Sequence, residues 1–466
     1  MSKQSRRGPK VGAQHAAPLY SHPISRREFV GDVAAAGLSF TIVAPHVLGA
    51  RGRNRLAPSD KLNIACIGVG GMGANDVRGV GKTENIYALC DVDDRQGAQS
   101  FQAFPQAKRY KDFRVMLDKE GKSIDAVTVS TPDHIHTVAG MAAMKLGKHT
   151  RIQKPLARTL WEVKQLEDMA RKSKVATQMG NQGHAEEGTR LIREWVEAGL
   201  IGTVREIQLW TNRPIWPQAI DRPLEEYYTP DTLDWDLWLG PAPARPYNPA
   251  YAPFKWRGWW DFGTGALGDI ACHSMDASFW TLNLGYPSRI EAESTKLYPE
   301  TAPACSRIIY SFAAKGSRPP VTVVWRDGSL YPPRPPEYTD PATWPFDTSG
   351  QLWIGDQGRL VAGIYGENPR LLDAAKMAEV TAHPVTQKYP RTEGVYAEWI
   401  AACKGGAPAG SNIPDHSGPL TEMVLLGNLA VRTAQPIDVN PQTGAVLTPG
   451  IPEENVKPKY RQGWGW

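Results

Sequence analysis

A short apolar run, Leu62 to Ile67, leads without a break into Gly68-Val69-Gly70-Gly71-Met72-Gly73. No other feature restricts the fold as much. A strand that ends in G-x-G-x-x-G and continues into a helix opens a dinucleotide-binding βαβ unit. Each glycine meets a different steric demand: Gly68 permits the tight turn, Gly70 lets the backbone approach a pyrophosphate, and Gly73 lets the helix pack close on the strand. Gly71 and Met72 complete the loop, where free N–H groups of the helix N-terminus face the phosphates. A second strand, Ile86 to Cys90, ends in Asp91, 18 residues after Gly73. That is close to the spacing of about 20 at which an acidic side chain takes the ribose hydroxyls. Asp91, with Asp93 and Asp94 behind it, would repel a 2′-phosphate, so NAD is expected over NADP, although Arg95 works against this.

The pattern continues as a doubly wound parallel sheet should. A strand over 124–130 runs into Thr131-Pro132-Asp133-His134, a helix over 136–146 follows, and a strand over 149–152 leads to Lys154-Pro155. Ligands of such sheets lie at the carboxyl ends of the strands. Thr131, Pro132 and Lys154 are therefore expected at the nicotinamide end of the cofactor. Further on, residues 285–365 alternate strand-like runs with turn signals, as in an antiparallel sheet, and 329–350 is a Pro-rich loop. Helices are expected over 394–403 and 420–433.

Charge excludes one large class of partner. The formal net charge is +5, but residues 1–60 hold nine Lys/Arg against three acids, a balance of +6, which leaves −1 for residues 61–466. Nothing sequence-wide favours a phosphate backbone, and nucleic acid is not an expected partner. The basic excess belongs instead to a targeting pattern: Arg26-Arg27 precede an apolar, small-residue run from Val33 to Val43 that is too short to span a membrane comfortably. Such paired arginines match the twin-arginine export signal. The expected partner is that export machinery and the expected compartment the periplasm, with a membrane anchor if the signal is not cleaved. Five widely spaced cysteines without a C-x-x-C pair indicate neither a disulfide scaffold nor a zinc knuckle. His134 and His136 lack a third ligand at useful spacing, and no metal is expected.

Four motifs in order resemble the Gfo/Idh/MocA oxidoreductase family: the glycine loop with Asp91, Thr131-Pro132-Asp133-His134-x-His136, Lys154-Pro155-Leu156, and Asp269-Ile270-Ala271-Cys272-His273. The run from Gln178 through Trp260 resembles a secreted subgroup of it. The resemblance implies an α/β architecture: an N-terminal Rossmann domain with a doubly wound parallel sheet, and a C-terminal α+β domain on a large, mostly antiparallel sheet. It divides the chain into a signal and linker (1–60), the dinucleotide domain (61–180) and the substrate domain (181–466). It places His136 in the cofactor pocket and makes Lys154, Asp269 and His273 the catalytic set. It also implies a homo-oligomer formed through the C-terminal sheet. One departure is visible: Gln153 stands where the family has Glu before the lysine. Losing that anion predicts a Lys154 that gives up its proton more readily than in relatives.

The chemistry of these residues agrees with oxidation of a secondary alcohol. Asp269 and His273, four apart, share one helix face. His273 is the better base, Lys154 can donate to the same oxygen, and Asp269 can bind a neighbouring hydroxyl or orient His273. No G-x-S-x-G is present, which argues against a serine hydrolase. Tryptophan is abundant, 16 in all, and seven fall between Trp210 and Trp260. Most should fill core. Trp210 and Trp256, with Asn212, Arg213, Arg257 and His184, are expected to face a sugar or polyol, whose C–H faces suit aromatic planes and whose hydroxyls suit amides and guanidinium groups. Outside the cytoplasm free NAD is scarce, so a tightly bound, internally recycled cofactor is expected. The alternatives are a redox-neutral glycoside hydrolase or lyase acting by transient oxidation, and a sugar-binding protein without catalysis.

Overall fold

The computed structural model describes residues 60–337 and 348–465. The chain divides into two units, Met1–Leu56 and Ala57–Trp466. The first lies wholly outside the described residues, and so do the twin-arginine segment and residues 338–347 of the Pro-rich loop.

The first half of the second unit alternates strand and helix: β1 (Asn63–Ile67), α1 (Met72–Gly81), β2 (Asn85–Cys90), α2 (Asp94–Ala103), β3 (Lys108–Tyr110), α3 (Phe113–Glu120), β4 (Ala126–Val129), α4 (Asp133–Lys145), β5 (His149–Ile152), α5 (Leu160–Ser173) and β6 (Thr177–Met179). The strands form one parallel sheet in the order β3-β2-β1-β4-β5-β6. β4 is buried at all four positions, because helices cover both faces. The order reverses between β1 and β4, which opens a crevice at the carboxyl ends of the strands. Local signals set the helix starts. Asp93 caps α2 and Asp112 caps α3, each accepting an N–H two residues on. Thr159 and Glu162 form a reciprocal capping box on α5.

After α6 (Glu187–Glu197), the chain builds a second sheet from β7 (Val204–Thr211), β8 (Arg289–Ser294), β9 (Ser306–Phe312), β10 (Val321–Arg326), β11 (Ser349–Gly355), β12 (Arg359–Ala362), β13 (Arg370–Leu371) and β14 (Ile437–Asp438). The order is β13-β12-β11-β7-β10-β9-β8-β14. Every pairing is antiparallel except β7 with β10. Four helices complete the set used below: α7 (Gly265–Ser274), α8 (Asp276–Thr281), α9 (Val395–Cys403) and α10 (Gly418–Thr433). Ile207, Leu209, Tyr310 and Trp325 share a core with α7 and α10, and a Cβ at Gly427 would collide with the Tyr310 hydroxyl. Trp210 joins Leu352 and Val361 in a separate cluster. Residue parity along β7 explains the division, since neighbours in a strand point to opposite faces. Between β7 and α7, residues 212–264 form a largely irregular insert with its own aromatic core, in which Trp235 and Trp238 stack at 4.8 Å.

Candidate functional site

The glycine loop and the insert enclose a cavity of about 380 Å³. Gly68, Gly70, Gly71 and Met72 line one side, Asp91 and Asp93 a second, Thr131 and Pro132 a third, and Lys154, Trp256 and Arg257 close one end. The loop is shaped by close approach. Gly68 has φ +74°, and a Cβ there would lie 2.7 Å from the Ser130 carbonyl oxygen. A Cβ on Gly70 would lie 2.7 Å from the Gln96 carbonyl oxygen, and one on Gly73 would clash with the Gly68 carbonyl. Gly73 is thus confined to helix–strand packing and does not line the cavity. Gly71, at φ +51°, has nothing within 4 Å of its missing Cβ, and no side chain caps α1. The first N–H groups of α1 therefore stand uncapped beside open space, which suits an anion.

Asp91 also fits. Its Oδ2 accepts the Val69 N–H at 2.9 Å and its Oδ1 the Asp93 N–H at 3.0 Å, which aims the carboxylate. Burial pushes its pKa up, and those hydrogen bonds oppose the rise. The nearby cations are already paired, Arg95 with Asp93 at 3.9 Å and Lys111 with Asp94 at 3.0 Å. A cradle with paired cations and a directed carboxylate fits a ribose diol better than a 2′-phosphate.

At the other end, the Lys154 ammonium donates to both the Asp269 carbonyl and its Oδ1, each at 2.8 Å. Arg257 Nε lies 3.1 Å from Asp269 Oδ1, and Arg213 Nε 3.8 Å from Oδ2. Burial alone would push the Asp269 carboxyl up, but Arg257 and Lys154 hold it well below the ordinary carboxylate range. His273, one turn further along α7, is 4% exposed, and its Nδ1 has no hydrogen-bond partner among the described residues. Burial, reinforced by the Lys154 charge, pushes its pKa down to about 3, so the ring is neutral at pH 7. The Tyr365 ring meets it edge-on at 4.5 Å.

The structure brings together Lys154, Asp269, Arg213 and Arg257, sets His273 one helical turn from Asp269, and seats Trp256 at the cavity with the Arg257 guanidinium 4.2 Å from its ring. Asn212 supports this group indirectly, accepting from Arg213 Nη1 at 3.0 Å. Three expectations are corrected. Trp210 is fully buried against Leu352 and Val361 and does not line the glycine-loop cavity, because its parity in β7 turns it to the sheet face opposite α7. His184 is 2% exposed and points Nδ1 at Asp276 Oδ2, 2.9 Å away, instead of at a substrate. The same carboxylate takes His416 Nε2 at 2.6 Å and the Asn181 amide at 2.9 Å. His184, Asp276 and His416 have metal-ligand spacing, but these donated hydrogen bonds satisfy Asp276. His136 is 1% exposed and does not line the cavity. Its ring nitrogens meet the Pro155 and Thr131 carbonyls at 2.7 and 2.9 Å, so it holds the two cofactor-side turns in place.

Four residues escaped the sequence. Asp133 joins the Thr-Pro-Asp-His turn to the insert through Arg257 (3.2 Å) and the Thr264 hydroxyl (2.7 Å). Tyr365 and Trp464 reach the site from distant segments. Asp76 is a hub. Buried on α1, it receives Ser130 Oγ at 2.6 Å, Gln153 Nε2 at 2.8 Å, Arg151 Nη1 at 2.9 Å and the Tyr396 hydroxyl at 2.9 Å. Gln153 is therefore turned toward Asp76, and the carboxylate that meets the Lys154 ammonium is Asp269.

A Rossmann cradle whose lysine end meets an Asp-x-x-x-His helix face, backed by a mixed sheet, defines a two-domain dinucleotide-binding protein. Residues 62–181 match the NAD-binding Rossmann fold of the Gfo/Idh/MocA oxidoreductases, and residues 189–318 match that family's C-terminal alpha/beta domain. The chain belongs to the Gfo/Idh/MocA family. It is 24% identical over 217 residues to levoglucosan dehydrogenase of Pseudarthrobacter phenanthrenivorans, covering 46% of each chain. It is 28% identical over 212 residues to a glycosyl hydrolase family 109 protein of Saccharopolyspora erythraea, covering 40% of this chain and 45% of that one. These matches span about half the length of the relatives. A solved levoglucosan dehydrogenase in complex with NADH and levoglucosan superposes with a TM-score of 0.55 at 19% identity, over 81% of this chain and 99% of that one. The cofactor indicated by the Rossmann match is NAD.

Proposed function

We propose that this chain is an NAD-dependent oxidoreductase acting on a secondary hydroxyl of a sugar or polyol, with its cofactor retained and recycled in the site. The observation that carries it is the meeting of Lys154, at the cavity's end, with Asp269, one turn of α7 from the neutral ring of His273. When bound, the nicotinamide supplies hydride acceptance and return. The chain supplies the rest. His273 takes the hydroxyl proton, Lys154 polarises the same oxygen, and Asp269, held ionised by Arg257 and Lys154, binds a neighbouring hydroxyl. Trp256 offers a flat apolar face at the cavity. NADP fits less well, for the electrostatic reasons above. The named activities of the relatives, a sugar dehydrogenase and a glycosyl hydrolase, support a carbohydrate substrate.

Export by the twin-arginine route to the periplasm, and assembly into a homo-oligomer through the second sheet, belong to the same proposal. So does the second reading, a redox-neutral glycoside cleavage, which the glycosyl hydrolase relative favours. A screen of sugars and glycosides on protein carrying its native cofactor tests both. Net NADH formation with a free sugar supports the dehydrogenase, and aglycone release without net NADH supports the hydrolase. If neither appears and His273→Ala binds sugars as the parent does, the catalytic proposal fails.

A further inference from the structure

We propose that residues 457–465 form a strap that completes the cofactor site, with Trp464 as a cofactor-contacting residue. The segment is tied down at each step. The Tyr460 hydroxyl donates to Glu162 Oε1 on α5 at 2.5 Å. The Arg461 guanidinium donates to the Gly240 carbonyl at 2.8 Å, the Asp236 carbonyl at 2.8 Å and Asp236 Oδ1 at 2.6 Å. Its own N–H meets the Pro241 carbonyl at 3.1 Å. The chain then turns at Gly463, φ +84°, and delivers the Trp464 indole to the cavity wall, where it is 7% exposed.

There the ring is clasped from the Rossmann side. The Arg114 guanidinium lies 4.0 Å from its centroid, Phe113 6.2 Å, and Arg114 Nη1 donates to the Gly463 carbonyl at 3.4 Å. Arg114 is itself fixed by paired hydrogen bonds to Asp112, one of them 2.7 Å, so the surface that receives the indole is already in place. Trp464 thus lines the cavity beside Phe113, Ile135, Leu237 and Trp238, and it spans the gap between α3 and the insert. An indole offers a large, rigid face at small entropic cost, and removing it leaves that wall open to solvent.

Retention of the cofactor, proposed above, is the premise, and the strap is the device that provides it. The test uses cofactor-loaded full-length protein and its Trp464→Ala and Arg461→Ala variants. Dissociation is followed by the loss of tryptophan-to-NADH energy transfer after mixing with excess NAD, and apo melting temperatures are recorded in parallel. Trp464→Ala is expected to release NADH at least tenfold faster. Arg461→Ala, which keeps the indole but unties the strap, should shift release in the same direction by less. If Trp464→Ala disturbs folding, Arg461→Ala carries the test. Release from folded variants at the parent rate overturns the strap. A parent that loses NADH during one gel filtration overturns cofactor retention instead, while the ratio of rates still decides the role of Trp464.

Discussion

The Asp76 hub allows a quantitative prediction for Gln153→Glu, the change that restores the family's usual residue. In the parent, the Gln153 amide donates to Asp76 Oδ2 at 2.8 Å inside a buried cluster. A glutamate of the same shape would set a carboxylate against that oxygen. Two unit charges at this distance repel by about 6 kcal/mol at an effective dielectric of about 20. Protonating the new side chain is cheaper: pH 7 lies about 2.7 pH units above the ordinary glutamate pKa, and each costs about 1.4 kcal/mol, giving about 4 kcal/mol. Protonation therefore wins, and the neutral acid donates to Asp76 much as the amide does. Because the folded-state pKa of the new acid is raised, the unfolded state loses its proton first as pH climbs. The variant then matches the parent below about pH 4, and above it loses about 1.4 kcal/mol per pH unit until the folded protein ionises. Urea denaturation of both proteins at pH 5 and pH 7.5 checks this, with a stability difference of about 1 kcal/mol expected at the lower pH and about 4 at the higher. A difference independent of pH, or none, would refute the assignment of the Gln153 amide to Asp76.

The buried histidines make stability fall in acid. His134, set between the Trp238 and Phe262 carbonyls, and His273 are both pushed down to about 3 by burial, so below pH 6.5 the unfolded state binds more protons than the folded one. The melting temperature should drop from pH 7 to pH 5, and less steeply in His134→Gln; an unchanged slope in that variant would contradict it. The two tryptophans should also separate in a paired experiment. Trp210→Ala empties a closed cluster and should cost about 3–5 kcal/mol of stability, whereas Trp256→Ala should raise KM for sugar with little loss in denaturation midpoint.

The dinucleotide half was legible because its determinants are local. Glycine spacing, the acid after β2 and the strand-ending Thr-Pro and Lys-Pro turns lie close in sequence, and steric rules link them to one geometry. The Asp269–His273 pair was legible for the same reason, as one face of one helix. Trp210 was misjudged because composition marks a residue as aromatic without saying which sheet face it occupies, and both faces of β7 are covered. His184 was misjudged because its partner, Asp276, lies 92 residues away. Asp76, Asp133, Tyr365 and Trp464 stayed hidden because their roles exist only through partners on other elements.

The Trp464 contact also has a consequence for how the molecule assembles. A wall of the cofactor cavity depends on a pairing between Arg114 and Gly463, a sequence separation of 349. Contacts of that range close large loops and tend to form late, after the local βαβ units are in place. A partly folded chain can thus present a nearly complete glycine loop and still lack the closing wall. With the strap acting as proposed, cofactor would exchange freely during folding and become held only once the distant segments dock, so that lasting occupancy of the cavity would report that both halves of the chain have folded correctly.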